Sequence, residues 1–357
     1  MVAIEVQSED DAFSIFETLN DRGLRLSVPD LLLNYLMRTA ENSAARRQIR
    51  DRWDAMLERM GRRDIDAFLR HMWLSKYGDL KARGLFREIK DKLTTNKVKS
   101  VDFADECATE CESYVSLLDL DEKILGKAKR NVAGLIKYVG IASSLPLLLS
   151  ALRCLSSSDF QKLSRLAVEL AVRHSIFANL NPSDLENAFY AAARAIRESH
   201  EKKVSSKKCL AAARAILHKY NPSNNQVEAA AVSLIVTRSQ GQYLLSSIAN
   251  TMQSATGELA VDDANLEHIF PLNPSNEWTN AAVLEPYKWH FGNLTVLSTR
   301  LNRNAASSGF STKQKQYAKS EIKLTQELLK VKDWNITEIL KRAGDLSKIA
   351  AKVWSGP

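Results

Sequence analysis

Helix breakers are scarce in this chain. Thirteen glycines and 8 prolines occur in 357 residues, about half the combined share usual for globular proteins. Tight corners need the positive φ of glycine or the fixed φ of proline. A chain so short of both cannot make the many turns of a sandwich or barrel, so the sequence predicts long helices and a mainly α fold. Hydrophobic residues at 45% and charged residues at 26% exclude wholesale disorder and fibrous repetition. The length allows about two domains.

An uncharged stretch runs from Tyr138 to Leu152 and contains Ser143, Ser144 and Pro146. A membrane span needs about 20 mostly apolar residues, so a buried helix is expected there and no membrane partner. The N-terminus is acidic and lacks the basic-then-apolar layout of a signal peptide. Cys107, Cys111, Cys154 and Cys209 form no C-x-x-C pair. They read as reduced thiols of a core, and the expected location is cytoplasmic.

Phe13, Phe16 and Leu19 share one helical side, and Asn20-Asp21-Arg22-Gly23 reads as a helix stop. Ser27 then suits an N-cap, Pro29 a first turn and Asp30 the positive helix end. From about residue 40 to 220 the pattern is helix after helix, with Trp53, Met56, Leu57 and Met60 at helical spacing. Asn221-Pro222-Ser223-Asn224-Asn225 is the clearest punctuation and marks an expected domain boundary. One more helix is expected from about Gln226 to Met252, interrupted near Gly241.

Past Gly257 the texture changes. Asn265 to Pro271 looks like a short strand ended by proline, and Leu294-Thr-Val-Leu-Ser298 is a β-branched run suited to a second. Helix returns from about Thr299, and the tail from Ser311 to Trp354 reads as helical. Residues 288–357 hold thirteen Lys or Arg and five Asp or Glu. That excess of eight equals the net charge of the whole chain, so the rest is neutral. Such asymmetry favours a polyanionic partner, because each phosphate met by Lys or Arg releases counterions. A solvated lysine-rich helix face is the alternative reading.

Chemistry concentrates in the same stretch. Glu267-His268 lies in the first strand, Asn293 opens the second, and Asn302 falls in the turns of helix after it. Phosphodiester hydrolysis needs a base for water, charge stabilisation at phosphate, and a positioned backbone. A neutral imidazole is the natural base near pH 7, while a carboxylate and an amide oxygen are hard ligands suited to Mg²⁺. Adjacent strand residues point to opposite faces, which sets Glu267 against His268 unless the strand twists or bulges. His71, His174, His200 and His218 read as ordinary hydrogen-bonded histidines.

Leu266-Glu-His-Ile-Phe-Pro271, Gly292-Asn-Leu-Thr-Val-Leu297, Asn302, Phe310-x-x-Lys313-x-x-x-Tyr317-x-x-Ser320, and then Trp334, Ile339 and Arg342 together resemble the C-terminal HNH-type nuclease domain of GmrSD-like, modification-dependent restriction endonucleases. The resemblance implies a small C-terminal ββα-metal unit on helical bundle regions, with His268 as general base and Asn293 holding the loop that positions it. It implies Glu267 and Asn302 as ligands of one Mg²⁺ or Mn²⁺, although the commoner pattern has aspartate and histidine there. Lys313 would contact DNA or brace the site, and Lys315 and Arg303 are the other candidate DNA contacts. Phe16-Glu-Thr-Leu-Asn20-Asp-Arg-Gly23, with Leu26 and Asp30, resembles the end of that family's ParB/sulfiredoxin-like NTPase domain, without its D-G-Q-Q-R motif. The implied division is 1–39 as a remnant of that domain, 40–220 helical, and 221–357 nuclease. The Leu31–Leu36 helix would then need cover elsewhere in the chain or in a partner. The implied function is cleavage of foreign or modified DNA in phage defence. DNA is the expected partner, with a homo-oligomer and a separate NTPase portion as further candidates. Alternatives are a non-catalytic DNA-binding or scaffolding fragment and a helical protein–protein adaptor.

Overall fold

The computed structural model describes residues 27–78, 80, 84–254 and 264–357. The expectations placed on residues 1–26, including the Asn20–Gly23 turn and most of the NTPase remnant, lie outside the described residues. The fold is mainly α with one two-stranded sheet among the described residues. No described helix is long and apolar enough to cross a membrane.

Two compact units interleave along the chain. The first takes residues up to Val132 with Ala142–Ser164 and Glu186–Ile216. Its helix α1 (Val28–Arg38) starts where the residues demand, with Ser27 Oγ accepting from Asp30 N and Pro29 in the first turn. Leu31, Leu32, Tyr35 and Leu36 are buried against α2 (Ser43–Met60), α3 (Ile65–Tyr77), α4 (Leu85–Thr95) and α5 (Ser100–Leu118). Cover for the Leu31–Leu36 face thus comes from this chain's own helices. Trp53, Met56 and Met60 are buried as their spacing requires, while Leu57 is half-buried. The long uncharged stretch is not one helix. Left-handed Gly140 ends one turn, and α6 (Leu145–Cys154) begins beyond it. All four cysteines are free and buried.

The second unit gathers Ala133–Ile141, Arg165–Leu185 and Leu217–Pro357. The turn at 221–225 therefore sits inside a unit instead of dividing two. Its physical reason is Arg173, 2% exposed, which donates to Asn221 Oδ1, Pro222 O, Asn224 Oδ1 and Trp354 O. Turn-forming residues shape a corner locally, but a buried guanidinium ties this one into the core.

Helix α7 (Asn224–Ala231) opens with a Ser223/Gln226 capping box, and α8 (Arg238–Ser254) follows. The break expected near Gly241 falls at residues 232–237 instead. There Leu234 O accepts from Phe291 N and Val236 N donates to Trp289 O, so pairing outcompetes helix. Gly241 stays helical and serves close approach: a Cβ there would stand 3.3 Å from Leu266 and Leu294 side chains. Strands β1 (Ala264–His268) and β2 (Leu294–Ser298) pair antiparallel, with His268 opposite Leu294 and Ala264 opposite Ser298. Then come α9 (Thr299–Ala305), α10 (Phe310–Tyr317) and α11 (Ile336–Val353). The tail is broken between α10 and α11, where Asn335 caps a fresh start. Ile269, Phe270, Leu297, Leu301, Phe310, Tyr317, Trp334 and Ile339 share one core.

Candidate functional site

β1 carries the chemistry. Glu267 pairs with Thr295 and Ile269 N donates to Asn293 O. By antiparallel alternation the carbonyls of Leu266 and His268 therefore point away from β2, along the sheet's free edge. Two side chains take them: Asn302 Nδ2 donates to Leu266 O at 3.0 Å, and Lys313 Nζ donates to His268 O at 2.7 Å. Residues 36 and 45 positions downstream are thus brought to consecutive outward carbonyls of one strand.

The side chains of Glu267 and His268 diverge, as strand geometry requires. Glu267 is 4% exposed and meets Lys313 Nζ at 2.7 Å and the Tyr317 hydroxyl, which donates to the same Oε1, at 3.0 Å. Burial pushes the Glu267 carboxyl up and the Lys313 ammonium down, each opposed by the charge of the other. Burial, reinforced by the neighbouring carboxylate, holds Tyr317 well above its ordinary range, so it stays a donor.

His268 packs edge-on against Trp289 with ring centroids 4.5 Å apart. Its Nε2 is buried and has no hydrogen-bond partner among the described residues. Burial, then the charges of Lys313, Arg238 and Lys288, lower its pKa to about 4. The imidazole is therefore neutral at physiological pH. Arg238 arrives from the first turn of α8, brought in because residues 234–236 bond to residues 289–291. Arg238 has no ion-pair partner among the described residues. Lys288 is fixed through its carbonyl, which accepts from Asn293 Nδ2 at 3.1 Å, and its Nζ lies 2.5 Å from Glu285.

The expected DNA contact of Lys313 is corrected here, whereas Asn293 holds a loop as the resemblance implied. Asn293 is fully buried and every polar group of its side chain is used inside the protein. Its Oδ1 accepts from Phe270 N and Trp334 Nε1, and its Nδ2 donates to Phe270 O and Lys288 O. It touches no substrate and is a positioning residue for the loop after β1. Lys313 has no exposure at all and cannot reach DNA, because both its bonds are spent in the core. Lys315 and Arg303 are exposed.

The expected metal pair fits poorly. Glu267 is committed to an ammonium and a hydroxyl, and its side chain lies across the strand from His268. Among the described residues no group of three His, Cys, Asp or Glu is placed to hold a metal ion. Asn302 does retain an Oδ1 with no protein partner among the described residues. Of the other histidines, His71 meets the Tyr114 hydroxyl, and His218 Nδ1 lies 2.7 Å from Pro357 O. His174 is buried and His200 exposed. His290 caps its own turn through Gly292 N. Sequence reasoning missed Arg238, Lys288 and Trp289. Lys288 stands five positions before Asn293, a usable signal, whereas nothing in the sequence ties Arg238 to this site.

A strand-pair-and-helix site, with a neutral histidine on the strand and an asparagine from the helix, is therefore built into an otherwise helical protein. Residues 193–349 match the family model of GmrSD restriction endonucleases, C-terminal domain. No curated protein matches the chain.

Proposed function

We propose that the second unit is a DNA endonuclease that hydrolyses phosphodiester bonds with His268 as general base. The observation that carries this reading is a half-buried, neutral imidazole on β1 set beside two cations, Arg238 and Lys288. In the proposed step His268 takes a proton from water as the water oxygen bonds to phosphorus. The bond from phosphorus to the leaving strand oxygen breaks, and that oxygen is protonated from solvent. Arg238 and Lys288 neutralise the phosphate, whose added negative charge raises the proton affinity of His268 toward a useful value. Asn293 and Trp334 hold the loop after β1, and Asn302 holds the strand edge.

The domain match supports DNA as substrate, and the basic tail supports a polyanion. A requirement for Mg²⁺ or Mn²⁺ belongs to the proposal. Asn302 Oδ1 is the oxygen left to meet it, and Glu267 is not. The wider role proposed is cytoplasmic restriction of foreign or modified DNA in phage defence. The test is incubation of supercoiled plasmid with the full chain and Mg²⁺ or Mn²⁺, beside His268→Ala. Cleavage by the unaltered chain with loss of about 10²–10⁴-fold in the variant is expected. Intact plasmid, or equal cutting by both, overturns the reading.

A further inference from the structure

We infer that Glu267 is the anchor of a buried brace, Tyr317–Glu267–Lys313, and that Lys313 positions His268 through its backbone carbonyl. The three side chains are 4%, 0% and 0% exposed for Glu267, Lys313 and Tyr317. Lys313 and Tyr317 stand four apart on α10 and so share a helix face. Both converge on Glu267 Oε1, while the same ammonium spans to His268 O.

A buried ion pair adds little to stability over a well-packed apolar pair. What this one does add is geometry. Among the described residues β1 has no strand on its outer edge, and a free edge frays. Asn302 at Leu266 O and Lys313 at His268 O fasten that edge on either side of Glu267. The peptide that carries the imidazole is thereby fixed to α10. A cation ligated by Glu267 would have to displace an ammonium and a hydroxyl from a site closed to water. The brace accounts for all three residues without that displacement.

The catalytic arm of the test rests on the proposed function, whereas the folding and spectroscopic arms do not. Lys313→Met, Glu267→Gln and the double variant are compared with the unaltered full chain. In thermal melts without DNA or cation, the double variant should melt above Lys313→Met alone, because removing both charges leaves none unpaired. A double variant melting no higher overturns the brace. In NMR spectra at fixed pH, the His268 ring signals should move in Lys313→Met, and unmoved signals overturn the positioning role. In single-turnover cleavage below the lowest melting temperature, Lys313→Met and Glu267→Gln should each lose at least about tenfold in rate at saturating Mn²⁺. The Mn²⁺ concentration for half-maximal rate should stay within about threefold in Glu267→Gln. A larger rise makes Glu267 a ligand and overturns the inference. If the unaltered chain cuts no DNA, the proposed function fails alone, and the melts and spectra still decide the brace.

Discussion

Glu110 and Glu267 are both buried carboxylates, one in each unit, and they are neutralised by different means. Glu110 receives a guanidinium fork, with Arg197 Nη1 at 2.8 Å and Nη2 at 2.9 Å. The same Arg197 also donates to the Ser150 and Ser75 hydroxyls. Burial lowers the Arg197 pKa, but hydrogen bonding and charge from Glu110 outweigh it and leave the group raised. A second, more exposed cation, Arg153, stands 3.6 Å from the same Glu110 Oε1. Glu267 meets an ammonium instead, a compact charge whose remaining N–H reaches a backbone carbonyl outside the pair. The fork meets both oxygens of its carboxylate and spends its other donors on side-chain hydroxyls, whereas the ammonium meets one carboxylate oxygen and spends a donor on the backbone of a strand. The difference suits one pair to hold a core together and the other to hold a strand in place.

The largest effect that separates the two regions is expected at the chemistry itself. His268→Ala should lower single-turnover plasmid cleavage about a thousandfold while leaving the melting temperature nearly unchanged. Next comes the contrast between the pairs. Arg197→Met should destabilise by up to about 3–5 kcal/mol, measured by denaturant unfolding, because it leaves buried Glu110 only the more distant Arg153. The remaining folded molecules should cleave at the unaltered rate. Lys313→Met should destabilise comparably and also lose rate, and equal rates in both variants would erase the distinction drawn here. Asn293→Ala removes the partner of buried Phe270 N and Trp334 Nε1 and should cost about 3 kcal/mol.

Acidification should act on His268 as follows. Its folded pKa of about 4 lies below the ordinary 6.5, so the unfolded chain binds the proton first as pH falls. Stability should therefore decline between pH 6.5 and pH 4, by on the order of 2 kcal/mol after allowance for partial exposure. His268→Ala should remove that part of the slope and leave the parts due to half-buried His71, lowered likewise to about 4, and to His174 and His290, also lowered by burial. The smallest effect belongs to the exposed cations. Lys315→Gln or Arg303→Gln should weaken DNA binding about twofold to threefold and reduce the salt slope by about one unit each.

Much of this was legible residue by residue. The shortage of glycine and proline foretold helices, Ser27-x-Pro29-Asp30 foretold the start of α1, and the β-branched run 294–298 foretold β2. The pairing of Glu267-His268 with Asn293 and Asn302 was legible as a set of chemical types. Period-two geometry even warned that adjacent strand side chains diverge. Their partners were not legible. For Lys313 the resemblance left open a DNA contact or a brace, and only its burial against Glu267 excludes the first. The corner at 221–225 read as a boundary because its composition is that of a loop, and Arg173, far upstream, makes it core.

The chain by itself determined what each short segment prefers: helix where breakers are missing, and strand where β-branched residues cluster. Those preferences act over a few residues and are written in local chemistry. Tertiary structure alone decided which charges are buried, which carboxylate belongs to an ammonium, and which distant arginine stands beside the imidazole. Burial and long-range pairing depend on which segments fold against one another, and no local preference encodes that.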